Sequence, residues 1–264
     1  MARMNDLAKR LRELHHQGHP LVLPNVWDAG TARVYAEAGF AALATPSSGI
    51  AASLGYADRQ QAPVEEMFAA AERIARAARE LDVPLTVDAE AGYGLPPAEF
   101  AERLLATGAV GCNLEDTAHP QGTLVAAEEQ AEWLAAVRAA APELVINARV
   151  DVFLRRRGPA GAPPDELVDE LVDDAVSRAE AYVAAGADCV YPILPPDEDV
   201  LAELVRRIPA PVNALCVPEG PTLPRLAALG VARISFGGGL YDAMLAHARG
   251  AATRIAAGED PYDR

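Results

Sequence analysis

The stretch PLTVDAEAGYGLPPAEFAERLLATGAVGCNLED (84–116) decides the fold. It opens on a β-branched, apolar run, PLTVDAE (84–90), and turns at GYG (92–94). An Ala- and Leu-rich segment over 97–107 then carries apolar residues at helical spacing. Gly108 follows, where a glycine supplies the left-handed residue that ends a helix, and VGCNLE (110–115) begins a second strand. Two strands joined through a helix run parallel, because the crossover carries the chain back to the end from which it started.

The same unit repeats on both sides. Candidate strands LVLPN (21–25), AALATP (41–46), LVINARV (144–150), CVYPIL (189–194), VNALC (212–216) and ARISFG (232–237) join the first two, making eight. Helical stretches at 28–38, 63–80, 125–140, 165–185, 197–207 and 240–256 alternate with them, and Gly39, Gly186 and Gly230 repeat the position of Gly108. Eight βα units of roughly 30 residues predict an α/β fold, a (β/α)₈ TIM-type barrel filling 1–264 as one domain. An open doubly wound sheet is the competing arrangement. Residues 5–17 (NDLAKRLRELHHQ) read as an N-terminal helix that closes the barrel's N-terminal end, and PAGAPPD (159–165) as a long loop on the opposite face.

Composition narrows the partners. A formal charge of -15 excludes the clustered Lys and Arg footprint of a nucleic-acid binder. No apolar run reaches the ~18 residues of a membrane span, and no signal-peptide pattern stands near the N-terminus, so a cytoplasmic protein is expected, with neither nucleic acid nor membrane as partner. Three Cys without a CxxC pair indicate neither a disulfide framework nor a zinc site.

In such a barrel the reactive residues stand at the C-terminal ends of the strands. Asp88 and Glu90 are two apart at the end of the third strand, so their side chains share a face. Asn113 and Glu115 repeat this on the fourth strand, and Asn147 and Arg149 on the fifth. Crowded carboxylates resist ionisation unless a cation neutralises them. An all-oxygen donor set favours Mg²⁺, or Mn²⁺, over Zn²⁺. Asp116 falls on the other face and reads as a cap or loop partner. Ser47-Ser48-Gly49, after the second strand, can aim backbone N–H groups at a carboxylate or enolate oxygen.

NVWDAGTARV (25–34), TPSSGIAASLGYAD (45–58), VDAEAGYG (87–94), NLED (113–116) and NARVD (147–151) together resemble the isocitrate lyase and phosphoenolpyruvate mutase superfamily across roughly residues 20–240. The resemblance implies a barrel whose eighth helix is swapped with a neighbouring subunit, in a dimer of helix-swapped dimers. It implies that Asp88 ligates Mg²⁺, that Asp58, Glu90 and Glu115 hold its waters, and that Arg149 binds the substrate's carboxylate or phosphonate group. Ser48 and Gly49 would hold the 2-oxo acid end through their backbone, and Trp27 and Ser47 would line the pocket. Asn213 matches a substrate-binding Asn. The implied chemistry makes or breaks a bond next to a metal-chelated pyruvate enolate.

The departures matter as much. The lyases of that superfamily carry a KKCGH-like or KRCGH-like loop whose Cys is the acid–base group, whereas here the segment after NLED reads TAHPQGTLVAAEEQ (117–130), with no cysteine. They also have a Glu where Ile193 stands. The mutase and phosphonopyruvate hydrolase carry a Lys and an Asn-Ser pair in their gating loop, and this chain has neither. His119 is the candidate replacement acid–base group, beside Glu115 and Arg149. The expected activity is a Mg²⁺-dependent lyase or decarboxylase acting on a small 2-oxo or 2-hydroxy carboxylic acid. A P–C bond enzyme of the mutase or hydrolase type, and a non-catalytic metabolite-binding barrel, are the alternatives. FGGGL (236–240) raises one more, a phosphate site built from backbone N–H groups. Arg155, Arg156 and Arg157 follow the fifth strand, where they either guide an acidic substrate or are solvated.

Overall fold

The computed structural model describes residues 2–156 and 164–262. Arg157 and residues 159–163 of the expected long loop lie outside the described residues. The chain begins with helix α1 (Ala2–Leu14), strand β1 (Leu21–Leu23), α2 (Ala29–Glu37), β2 (Leu43–Ala44), α3 (Ser47–Leu54), α4 (Val64–Glu80) and β3 (Leu85–Asp88). It continues with α5 (Pro97–Ala106), β4 (Gly111–Glu115), a hairpin of β5 (Thr117–Ala118) and β6 (Thr123–Leu124), α6 (Ala127–Ala140) and β7 (Val145–Val150). The remainder is α7 (Val152–Arg155), α8 (Val168–Ala184), β8 (Cys189–Pro192), α9 (Glu198–Arg207), β9 (Asn213–Leu215), α10 (Leu223–Ala228), β10 (Arg233–Ser235) and α11 (Gly239–Ala256).

Strands β2, β3, β4, β7 and β8 pair in that order, and β1, β10 and β9 form a second parallel set. The parallel bridges Asn25–Ala44 and Val190–Val212 join the two sets, so the eight strands close into the expected barrel rather than an open sheet. Gly39, Gly108, Gly186 and Gly230 all adopt left-handed backbone, with φ of 92°, 87°, 103° and 85°. Each ends its helix where the sequence marked the stop.

Two segments differ from expectation. Ser47–Leu54 is a helix that falls between the expected helical stretches at 28–38 and 63–80. Ile50 and Ala51 bury one face of it, and Gly55 closes it in a left-handed conformation. The segment after Asp116 folds as the β5–β6 hairpin before α6 begins, because the Ala126–Gln130 turn is the first with helical bonding.

The helices form the outer layer in the way amphipathic spacing dictates. In α4, Met67, Ala71, Ile74 and Ala78 recur at helical intervals and are buried, while Glu65 and Glu66 sit at the N-terminal turn and Arg79 at the last. Helix α1 plugs the N-terminal end, seating Leu7, Leu11 and Leu14 against Leu21, Leu23, Val110 and Val145. The barrel interior above the plug is polar. Arg233 is wholly buried and donates to Asn113 Oδ1 (2.9 Å), and Asn147 Nδ2 donates to the same oxygen (2.8 Å).

Candidate active site

The C-terminal end of β3 carries the first part of the site. Asp88 stands beside Asn113 of β4 in register. Its Oδ2 accepts from the Ser47 N–H (3.2 Å) at the start of α3, and its own N–H donates to Thr45 Oγ1 (3.0 Å). Glu90 sits two residues on, in a left-handed conformation (φ 48°), buried, with Oε2 accepting from the Gln60 N–H (2.6 Å). The left-handed turn at Glu90, Gly92, Tyr93 and Gly94 takes the chain sharply off the strand, as GYG anticipated. At Gly92 (φ 81°) an added Cβ would lie 2.7 Å from the Trp133 ring, so only glycine fits there. Among the described residues no ion pair reaches Asp58, Asp88 or Glu90. Burial, then the charges of Asp88 and Asp58, push the Glu90 carboxyl up to about 8.

The ends of β4 and β7 carry the second part, and here charges are paired. Arg149 forms an ion pair with Glu115 and a two-pronged bond to Asp151, from Nε to Oδ1 (2.7 Å) and from Nη2 to Oδ2 (2.9 Å). His119 Nε2 donates to Glu115 Oε1 (2.5 Å). Burial pushes the Glu115 carboxyl above the usual range, against the pull of Arg149 and His119. At Asp151 burial acts in the same sense, but Arg149 and the Thr117 hydroxyl outweigh it and hold the carboxyl low.

The hairpin places His119. Thr117 Oγ1 donates to Asp151 Oδ2 (2.5 Å), and the Val125 N–H donates to the Asp116 carbonyl (2.9 Å), tying both strands of the hairpin to the barrel rim. Asp116 faces away from the site, as expected. It accepts from the Asp151 N–H (2.8 Å), Tyr182 Oη (2.8 Å) and Arg178 Nη1 (3.1 Å), and burial followed by the charge of Asp151 pushes it up to about 6. Its role is to anchor the loop beneath the site.

A cavity of about 280 Å³ opens over these groups. Of the residues singled out from sequence, Ser47, Ser48, Asp58, Asp88, Glu90, Glu115, His119 and Arg149 line it. Three others do not. Trp27 packs edge-on against Tyr241, with ring centroids 5.3 Å apart. Gly49 lies under Pro46, whose Cγ is 2.9 Å from where its Cβ would be. Asn213 is buried below, its Nδ2 donating to Ser235 Oγ (3.1 Å) and the Ala214 carbonyl (2.9 Å).

The cavity also takes in Asn25, Tyr191, Ser235 and Arg155, together with Gly237 and Gly238 of the FGGGL turn. Asn25, Tyr191 and Ser235 end their strands on the inward face, and that alternation is the signal that could have found them. A larger cavity, about 470 Å³, opens beside Pro195, Leu201 and Pro221. Asp197, Glu198 and Glu219 are its titratable lining groups. It therefore lacks the convergence of cation, carboxylate and imidazole that marks the smaller one as the site.

The family model described as phosphoenolpyruvate phosphomutase matches residues 11–256. The solved structure of a candidate phosphonomutase from Burkholderia cenocepacia J2315 is 41% identical, with a TM-score of 0.84, over 97% of this chain and 99% of that one. The 2-methylisocitrate lyase of Bacillus subtilis (strain 168) is 30% identical over 226 residues, 82% of this chain and 69% of the lyase. Oxaloacetate acetylhydrolase, solved with the inhibitor 3,3-difluorooxalacetate, is 25% identical, with a TM-score of 0.80, over 96% of this chain and 86% of that one.

Proposed function

Since the chain belongs to the phosphoenolpyruvate phosphomutase family, we propose that it is a Mg²⁺-dependent lyase or decarboxylase of a small 2-oxo or 2-hydroxy carboxylic acid. The observation that carries the reading is the arrangement across one cavity: unpaired carboxylates at the end of β3 face an Arg149–Glu115–His119 cluster at the ends of β4 and β7.

The residues fit a hard dication. The four carboxylates that line the cavity, Asp58, Asp88, Glu90 and Glu115, are hard oxygen donors, and the raised Glu90 marks an excess of negative charge that a dication neutralises. No group of three or more His, Cys, Asp or Glu among the described residues converges as a direct ligand set. Asp88 would hold Mg²⁺, or Mn²⁺, directly, and Asp58, Glu90 and Glu115 would reach its waters. When bound, the ion supplies the positive charge that draws electrons toward the 2-oxo group.

The chain's own groups do the rest. Ser47 and Ser48 begin α3, whose first N–H groups have no acceptor within the helix and favour a negative oxygen. Arg149 keeps Nη1 for the substrate's carboxylate, while Asp151 fixes the plane of the guanidinium through Nε and Nη2. When a carboxylate leaves as CO₂, the electron pair left on the adjacent carbon takes up a proton, and His119, which lines the cavity, would give it. Losing CO₂ needs no base, which suits a loop without the Cys of the lyases. A helix-swapped oligomer is supported by α11, which has no buried residue within one chain and exposes Met244 and Ile255.

The test is a pyruvate-coupled screen of oxaloacetate, phosphonopyruvate, methylisocitrate and substituted malates. We expect pyruvate from a carboxylic acid substrate, abolished by EDTA and restored by Mg²⁺. Metal-independent turnover would sink the reading. Release from phosphonopyruvate would move it to P–C chemistry, the reading that the family's own description favours. Mg²⁺-dependent thermal stabilisation by these acids without turnover would leave a binding protein.

A further inference from the structure

Arg155, the last residue of α7, lines the same cavity, with only 17% of its side chain exposed. Its contacts among the described residues are poor. Nη1 lies 3.5 Å from the Gly122 carbonyl, Nη2 lies 4.0 Å from Asp151 Oδ2, and Nε is buried without a partner. The distances to Gly122 and Asp151 are beyond those of a good hydrogen bond. Among the described residues the carboxylate paired with it, Asp151, is already committed, because it accepts from Arg149 twice and from Thr117. A largely buried cation with an unmet donor is costly, and a ligand oxygen in the cavity removes that cost.

Position says which ligand group this is. The Nη2 atoms of Arg149 and Arg155 both lie within 4.0 Å of Asp151 Oδ2, so the two guanidinium groups flank one carboxylate and open on one cavity. The nearby wall residues Leu154, Ile193 and Leu194 are apolar. Arg59, another cation on the cavity, is exposed. A carboxylate remote from the 2-oxo group that meets Arg149 finds in Arg155 a second cation a short step away.

We propose that Arg155 is a specificity-determining residue that receives, together with Arg149, the substrate carboxylate remote from the 2-oxo group, so that the site prefers 2-oxo acids carrying that remote carboxylate over those without it. This deepens the proposed function and rests on it.

The experiment measures binding in the presence of Mg²⁺ by titration calorimetry, for the wild type, Arg155→Met and Arg155→Lys. Oxalate reads the core that holds the 2-oxo acid end, and 3,3-difluorooxalacetate adds the remote carboxylate. We expect Arg155→Met to weaken 3,3-difluorooxalacetate by about tenfold to a hundredfold while oxalate stays within about twofold, as loss of one charge-assisted bond implies. Arg155→Lys keeps the charge without the fork and should recover part of the loss. Equal weakening of both ligands together with a lowered Tm would show a strut for the Gly122 loop and overturn the inference, as would unchanged 3,3-difluorooxalacetate binding. A wild type that binds neither ligand would instead overturn the proposed function, and this inference with it.

Discussion

The two ends of the barrel treat charge in opposite ways. At the closed end Asp188 accepts from Arg12 Nε (2.7 Å), Arg138 Nη2 (2.6 Å) and the Ile146 N–H (2.8 Å), so a part-buried carboxylate is surrounded by donors. Apolar residues of α1 seal the space around it. At the open end Asp88, Glu90 and Asp58 share one cavity with no cation paired to them among the described residues, and Glu90 is pushed up to about 8 by burial and by its neighbours. One arrangement stabilises the folded chain. The other strains it electrostatically and makes sense where a cation is to be bound, the division of labour expected between the two faces of such a barrel.

The largest effect that tests the contrast is at the open end. Asp88→Asn should lower turnover by about a hundredfold or more, the scale for losing a group that stabilises transition-state charge. The same variant should melt no earlier than the wild type in EDTA, because it removes one of the negative charges pressing on Glu90. Kinetics and thermal melts of one preparation check both halves. An early melt with retained turnover would show that Asp88 belongs to the scaffold and would erase the contrast.

Asp188→Ala is the mirror experiment. It strands Arg12 and Arg138 at a part-buried site and removes the acceptor for the Ile146 N–H. Breaking a buried pair by deleting one partner costs about 3 kcal/mol. Urea unfolding should show that loss, while kcat per folded molecule changes little, since Asp188 lies at the far end of β8 from the cavity. A variant as stable as the wild type would mean that the closed end draws its stability from α1 packing alone.

Much of this division was legible in the sequence. The eight strands could be read because β-branched runs, helical spacing and a stopping glycine recur together, and a (β/α)₈ barrel places Asp88, Glu115 and Arg149 on one face by strand alternation. What escaped depends on distance along the chain. Ser47–Leu54 hides its helix behind turn-forming residues, and its burial comes from contacts with Tyr241 and other remote residues. Arg233 is wholly buried in the barrel and bonded to Asn113 120 residues away, a contact that no local pattern announces. Trp27, Gly49 and Asn213 were placed in the pocket by resemblance. In the structure Trp27 packs on Tyr241 and Asn213 bonds to Ser235, contacts with residues far along the chain that the resemblance does not describe. His119, the candidate acid–base group of the departing segment, is brought onto Glu115 by the β5–β6 hairpin, whose pairing no local pattern announces.

The smallest predicted effect concerns how well the closed end excludes charge. His15 follows α1 and is buried, its Nδ1 donating to the Leu11 carbonyl (2.8 Å) while Nε2 has no partner. Burial, then the charge of Arg233, lowers its pKa from 6.5 to about 4. Above pH 6.5 the imidazole is neutral in both folded and unfolded chains, and its contribution to stability is full. As pH falls from 6.5 toward 4 only the unfolded chain takes up the proton, so the folded state loses stability, by about 2 kcal/mol at pH 5. His15→Asn keeps a side-chain donor for Leu11 but cannot titrate. Other groups protonate alike in both proteins, so the difference between their stability–pH slopes isolates His15. Urea unfolding at pH 7.5 and pH 5 should show the wild type losing about 2 kcal/mol more than the variant. Equal slopes would mean that His15 takes its proton while folded, and that the closed end admits the unpaired charge the open end was thought alone to tolerate.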